Sequence, residues 1–136
     1  MTGAARERGI GRGIAQCLAE EGCHVAINDV GAEDEAAALV AELQGLGRRA
    51  GFFPADVSDR AAVERMLAAV ESELGPVDIV CSNAGVADWQ GFLDVTEESF
   101  DRLVAVNLTG AFNVCRAGAA SMLVGGRPGR IVVTSS

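Results

Sequence analysis

GAARERGIGRGIAQCLAEEGCHVAIND, residues 3–29, opens on a glycine cluster, passes through an apolar stripe and ends in a short apolar run closed by Asn28 and Asp29. The stripe is Ile10, Ile14, Cys17 and Leu18, at i, i+4, i+7 and i+8, which a 3.6-residue helix gathers on one face. Gly3, Gly9, Gly11 and Gly13 stand at the entrance to that helix. Glycine there lets the main chain approach an anion that also meets the positive end of the helix dipole. A plain structural turn is the competing reading, because 17 glycines in the chain make chance groupings easy. Asp29 shifts the balance: a carboxylate at a strand end about twenty residues past such glycines is placed to accept ribose hydroxyls.

Working outward, apolar runs rich in β-branched residues recur at 24–29, 50–54, 77–81 and 130–134. Between them the helical stripe repeats as Ala36, Leu39, Val40 and Leu43, and again as Val63, Met66, Leu67, Val70 and Leu74. Short strands alternating with helices pair in parallel through right-handed crossovers, so the fold class is a doubly wound α/β sheet. The strands are continuously apolar rather than alternating, which fits a sheet covered on both faces. Gly22, Gly45 and Gly75 are expected to close the first three helices, and Ser58 and Thr96 to cap helix starts. The stretch 85–95, which holds Trp89, is expected to be the longest irregular segment. Residues 1–136 are expected to form a single domain, because dividing them would leave neither part able to bury much surface.

Composition excludes other classes. A hydrophobic share of 49% against 22% charged residues argues against disorder, and 4% aromatics suit a helix-covered sheet better than a sandwich. A net charge of -8 with no basic run repels nucleic acid and anionic membranes, and no apolar run is long enough to span a bilayer. The N-terminus has no secretory core, and the expected location is the cytoplasm. Cys17, Cys23, Cys81 and Cys115 are scattered and only His24 accompanies them, so they read as reduced, mostly buried small hydrophobes with no metal role. His24 reads as structural.

With these elements in order, the chain resembles the short-chain dehydrogenase/reductase family. The resemblance rests on Thr-Gly-Ala-Ala then Gly-Ile-Gly-Arg-Gly, on Asp56-Val57-Ser58, on Asn83-Ala84-Gly85, on Val106-Asn107-Leu108 and on the final Ile131-Val132-Val133-Thr134-Ser135-Ser136. It implies a Rossmann-like sheet and a nicotinamide cofactor, NAD favoured over NADP. Gly3, Gly9 and Gly11 would form the phosphate turn with Ile10 packed beneath it. Asp29 would bind the adenosine ribose, Asp56 and Val57 would meet the adenine, and Asn83, Ala84 and Gly85 would line the nicotinamide ribose. Ser136 would be the catalytic serine. Asn107, which helical spacing places on a core-directed face with Leu103 and Phe100, would be either a buried structural amide or part of a proton relay.

The implied function is oxidation of a secondary alcohol, or reduction of the corresponding carbonyl compound, by a small-molecule oxidoreductase that is a homo-oligomer when full length. A non-catalytic dinucleotide-binding module and a non-functional gene remnant are the alternatives. Two features depart from the family pattern. Five residues separate Gly3 from Gly9, two more than is commonest, and the chain contains no tyrosine and no lysine for the family's Tyr-x-x-x-Lys. The sequence therefore reads as a fragment, with the first strand and the C-terminal strands and helices absent. As such it is expected to be inactive and prone to aggregate, its sheet either re-pairing across the missing strand or standing open.

Overall fold

The computed structural model describes residues 1–135. Its elements follow the expected alternation: α1 (Ile10–Glu20), β1 (Val25–Ile27), α2 (Glu33–Gly45), β2 (Ala50–Phe52), α3 (Arg60–Leu74) and β3 (Ile79–Ser82), then α4 (Glu97–Leu103), α5 (Ala111–Val124) and β4 (Arg130–Val133). A π-helical segment, Val104–Gly110, joins α4 to α5 without leaving helical geometry, and a short 3-10 turn at Phe92–Asp94 interrupts the stretch expected to be irregular.

The strands pair in parallel as β1 with β2 and β3 with β4. As expected, the first strand is all but missing, and only Met1 and Thr2 stand in its place. Thr2 bridges Asn28 in parallel and donates its N–H to the Cys81 carbonyl at 3.0 Å, while the Met1 carbonyl accepts from Asn28 N–H at 2.9 Å. The order is therefore β2, β1, the Met1–Thr2 stub, β3, β4. Beyond the stub the two pairs have not closed on each other, and the sheet stands open.

Two apolar clusters hold the layers. One joins Val25, Ile27, Ala36, Leu39 and Leu43 with Ala15 and Ala19 of α1; the other joins Val57, Val63, Val80, Val114 and Met122. Coverage on both faces fails at β4, where Ile131, Val132 and Val133 remain exposed. Only Cys81 of the four cysteines is buried, Cys17 lying on the outer face of α1, so the expectation of mostly buried cysteines is also corrected. His24 is structural: its Nδ1 accepts from Arg49 N–H at 3.1 Å.

The helix ends differ from expectation at two places. Gly22 and Gly75 take the left-handed conformation (φ 99° and 98°), but Gly45 is the last residue of α2 and Gly47 (φ 77°) does that work instead. Asp59, not Ser58, caps α3, its Oδ1 accepting from the N–H groups of Ala61 and Ala62. Ser58 is already engaged, donating from its N–H and hydroxyl to Asp56 Oδ1 at 2.8 and 2.7 Å. Thr96 caps α4 as expected, accepting from Ser99 N–H at 3.1 Å.

Candidate functional site

The glycine turn is built by close approach. A Cβ on Gly11 would lie 2.2 Å from the Gly3 carbonyl oxygen and 2.7 Å from Asn83 Nδ2, and one on Gly3, whose φ is +62°, would lie 2.7 Å from the Ala84 Cα. No side chain larger than hydrogen fits at either position. The turn is tied to the strand ends on both sides. Asn83 Nδ2 donates to the carbonyls of Thr2 (3.2 Å) and Gly3 (3.1 Å), and Thr2 Oγ1 accepts from the N–H groups of Asn83 (3.0 Å) and Ala84 (3.1 Å). Sequence spacing thus brings Gly3, Gly11, Asn83 and Ala84 together.

Gly9 is the N-cap of α1 and has no side chain to cap it, so the amides of the first turn look outward without an intrahelical acceptor. Ile10 does not pack beneath the turn. It is 70% exposed, because the inner face of α1 is taken by Gly11, Ala15 and Ala19, all buried. Arg6 and Arg8 are exposed, whereas Arg12 is held by Glu42 at 2.8 Å.

Asp29 stands half-buried at the end of β1, its Oδ2 accepting from Ala5 N–H (3.1 Å) and its Oδ1 from Val30 N–H (2.9 Å). One carboxylate therefore fixes the far side of the glycine turn while keeping lone pairs for another donor. Asp56 is exposed after β2, and Val57 beside it is buried. Neither the buried Asn28 nor the buried Asn113 was marked from sequence. Asn28 Nδ2 donates to the carbonyls of Phe53 (3.1 Å) and Ala55 (2.9 Å), and Asn113 Nδ2 to those of Val57 (3.0 Å) and Ser58 (3.3 Å), so these two amides fix the segment that carries Asp56. Polar residues at otherwise apolar positions were the available signal.

Asn107 lies in the π-helical segment and is exposed, so neither a buried amide nor a core-directed face describes it. Phe100, placed on the same face by spacing, is itself 59% exposed, so that face is not a core face in this structure. Its amide closes a two-way clasp on the loop after β3, Oδ1 accepting from Val86 N–H (2.8 Å) and Nδ2 donating to the Val86 carbonyl (2.9 Å). On the same loop the Asp88 carboxyl is held below its ordinary pKa, chiefly by the Ser99 hydroxyl. Ser136 lies outside the described residues.

A glycine-built turn opening a helix, faced by a carboxylate at the end of the neighbouring parallel strand, defines the class of dinucleotide-binding α/β proteins. Comparison narrows the class. The family described as short chain dehydrogenase matches residues 1–136, and the chain belongs to it. A short-chain dehydrogenase/reductase of Armillaria gallica is 40% identical over 133 residues, 97% of this chain and 50% of that relative. A sorbitol dehydrogenase of Cereibacter sphaeroides is 38% identical over 136 residues, 100% of this chain and 51% of that relative. The crystal structure of a short chain dehydrogenase from Burkholderia cenocepacia in complex with NADP superposes with a TM-score of 0.89 at 35% identity, covering 99% of this chain and 53% of that one. The chain spans about half the length of the curated relatives it matches.

Proposed function

We propose that this chain is the cofactor-binding part of a nicotinamide-dependent oxidoreductase that interconverts a secondary alcohol and a ketone. The observation that carries the reading is the turn closed by Gly3, Gly11 and Asp29, whose Cβ-free cradle and outward first-turn amides fit a pyrophosphate. The dinucleotide, when bound, supplies hydride transfer at its nicotinamide ring. Gly9 and Ile10 contribute amides to the phosphates. Asp56 and Val57 flank the adenine, and Asn83, Ala84 and Gly85 the nicotinamide ribose. Ser136 is assigned to hold the substrate oxygen, and the exposed loop around Trp89 to form one wall of the substrate pocket.

NAD is the preferred cofactor, because the Asp29 carboxylate accepts hydroxyl hydrogens from an unmodified ribose and repels a 2′-phosphate. Arg8 is exposed and works the other way, yet Asp29 is fixed by two main-chain bonds whereas Arg8 reaches from solvent. Affinities for both cofactors test this. Tighter binding of NADP would overturn the preference, and Asp29→Ala should narrow the difference while weakening both, since it also releases the Ala5 side of the turn.

Asn107 is a positioning residue in this reading, holding the Val86 loop beside the nicotinamide and supporting a proton relay. In a full-length version, Asn107→Leu should lower kcat more than it weakens cofactor binding. Unchanged kcat would reduce Asn107 to a structural clasp.

A further inference from the structure

Between β2 and α3 the chain runs from Phe53 to Ser58, and its main-chain acceptors are nearly all taken. Asn28 Nδ2 holds the carbonyls of Phe53 (3.1 Å) and Ala55 (2.9 Å), and Asn113 Nδ2 those of Val57 (3.0 Å) and Ser58 (3.3 Å). The Asp56 carbonyl accepts from Asp59 N–H at 3.1 Å. An amide nitrogen carries two hydrogens, so each asparagine serves two carbonyls at once, where serine has one hydrogen to give and aspartate none. The donors are left over. Among the described residues no hydrogen bond reaches the N–H of Ala55, Asp56 or Val57, and Asp56 Oδ2 is likewise without one, its Oδ1 being held by Ser58.

The two asparagines come from different elements. Asn28 stands at the end of β1, where its own carbonyl accepts from Ala4 N–H of the glycine turn at 3.2 Å and the next residue is Asp29. One residue therefore ties together the turn, the strand-end carboxylate and the segment. Asn113 belongs to the buried residues of α5, with Val114, Gly118 and Met122. One turn before it, Gly110 leaves room for the Val57 side chain, since a Cβ there would lie 2.6 Å from Val57 Cγ2. An apolar side chain would fill either buried position without a desolvation penalty, whereas the hydrogen bonds of a buried amide largely offset the penalty it brings. What the two amides add is the placement of the segment.

We propose that Asn28 and Asn113 are positioning residues for base recognition, fixing where the segment offers the Asp56 carboxylate as acceptor and its main-chain N–H groups as donors. The proposal rests on the cofactor reading above. Adenine carries a ring-nitrogen acceptor beside an amino donor. Hypoxanthine carries a ring N–H donor beside a carbonyl acceptor, the same two functions in reversed order. A carboxylate and an N–H group can satisfy either base if the segment is free to shift by the spacing between those functions. Held through four carbonyls to a strand end and a helix, it cannot shift, and one order is selected over the other.

Calorimetric titration of the full-length protein with NAD and with nicotinamide hypoxanthine dinucleotide tests the proposal. The parent should bind NAD tighter by on the order of tenfold, as expected for about one hydrogen bond. Asn113→Leu keeps apolar packing in α5 and removes both donors, so the ratio should fall toward one through a loss of NAD affinity. Asn113→Ser, which retains one donor, should lie between. A variant that is merely less stable loses the same fraction of its affinity for both dinucleotides, so the ratio separates positioning from folding. If Asn113→Leu does not fold, the serine variant decides. An unchanged ratio in the variants that fold, or a parent with no preference between the two dinucleotides, would overturn the proposal and leave the cofactor reading standing. A parent that binds neither would overturn both.

Discussion

Ile27, Leu39 and Leu43, where α2 lies on β1, are wholly buried, whereas Ile131, Val132 and Val133 on β4 keep 39, 54 and 51% of their surface. The residue types are the same. Around β1 and β2 the helices α1 and α2 close over the strands, and the glycine turn and Asp29 grow out of that sealed layer. Around β3 and β4 the same kind of strand stands at an edge, and the helical rod above it shows Phe100 (59%), Leu108 (68%) and Phe112 (61%) to solvent. Apolar content therefore reports which residues form strands, while burial depends on how many neighbours the topology supplies.

The sharpest way to break this contrast is to truncate one residue on each side. Leu39→Ala removes a fully enclosed side chain and should cost about 2–5 kcal/mol in urea unfolding, by transfer and cavity terms together. Val132→Ala, half-exposed at an edge, should stay within about 0.5 kcal/mol. Similar losses at the two sites would show that both halves are packed alike.

A smaller effect sharpens the contrast at the seam between the halves. Burial lowers the pKa of the Met1 ammonium below 8.0, so the folded state holds that proton less tightly than the unfolded state, and stability should climb as pH rises toward 8.0. Burial raises the Cys81 thiol above 9.0, so the unfolded chain ionises first and stability should fall as pH rises past 9.0. A plateau between these values in unfolding free energy against pH is expected. Stability that falls steadily between pH 7 and 8 would place Met1 in solvent.

The glycine cluster and Asp29 were legible because close approach and a strand-end carboxylate each leave a residue type at a fixed spacing. Strand and helix order was legible for the same reason, as two periods alternating along the chain. Asn107 was placed in the core because helical spacing with Phe100 was read as a buried face, whereas Phe100 itself is 59% exposed, and Ile10 because the helix entrance was read one face out. Ser58 and Asp59 are both good capping residues, and what decides between them is the prior commitment of Ser58 to Asp56. Asn28 and Asn113 were passed over because a single amide in an apolar run carries no sign of which carbonyls it will meet.

The claim that the glycine turn is a dinucleotide cradle is tested most directly by comparing two neighbouring glycines. A Cβ at Gly11 runs into the Gly3 carbonyl and Asn83, whereas one at Gly13 meets nothing within 4 Å. Gly13→Ala should leave NAD affinity unchanged by calorimetric titration and add about 0.5–1 kcal/mol of stability through helix propensity, while Gly11→Ala should abolish binding. Equal NAD affinity in the two variants, or none in the parent chain, would contradict the account.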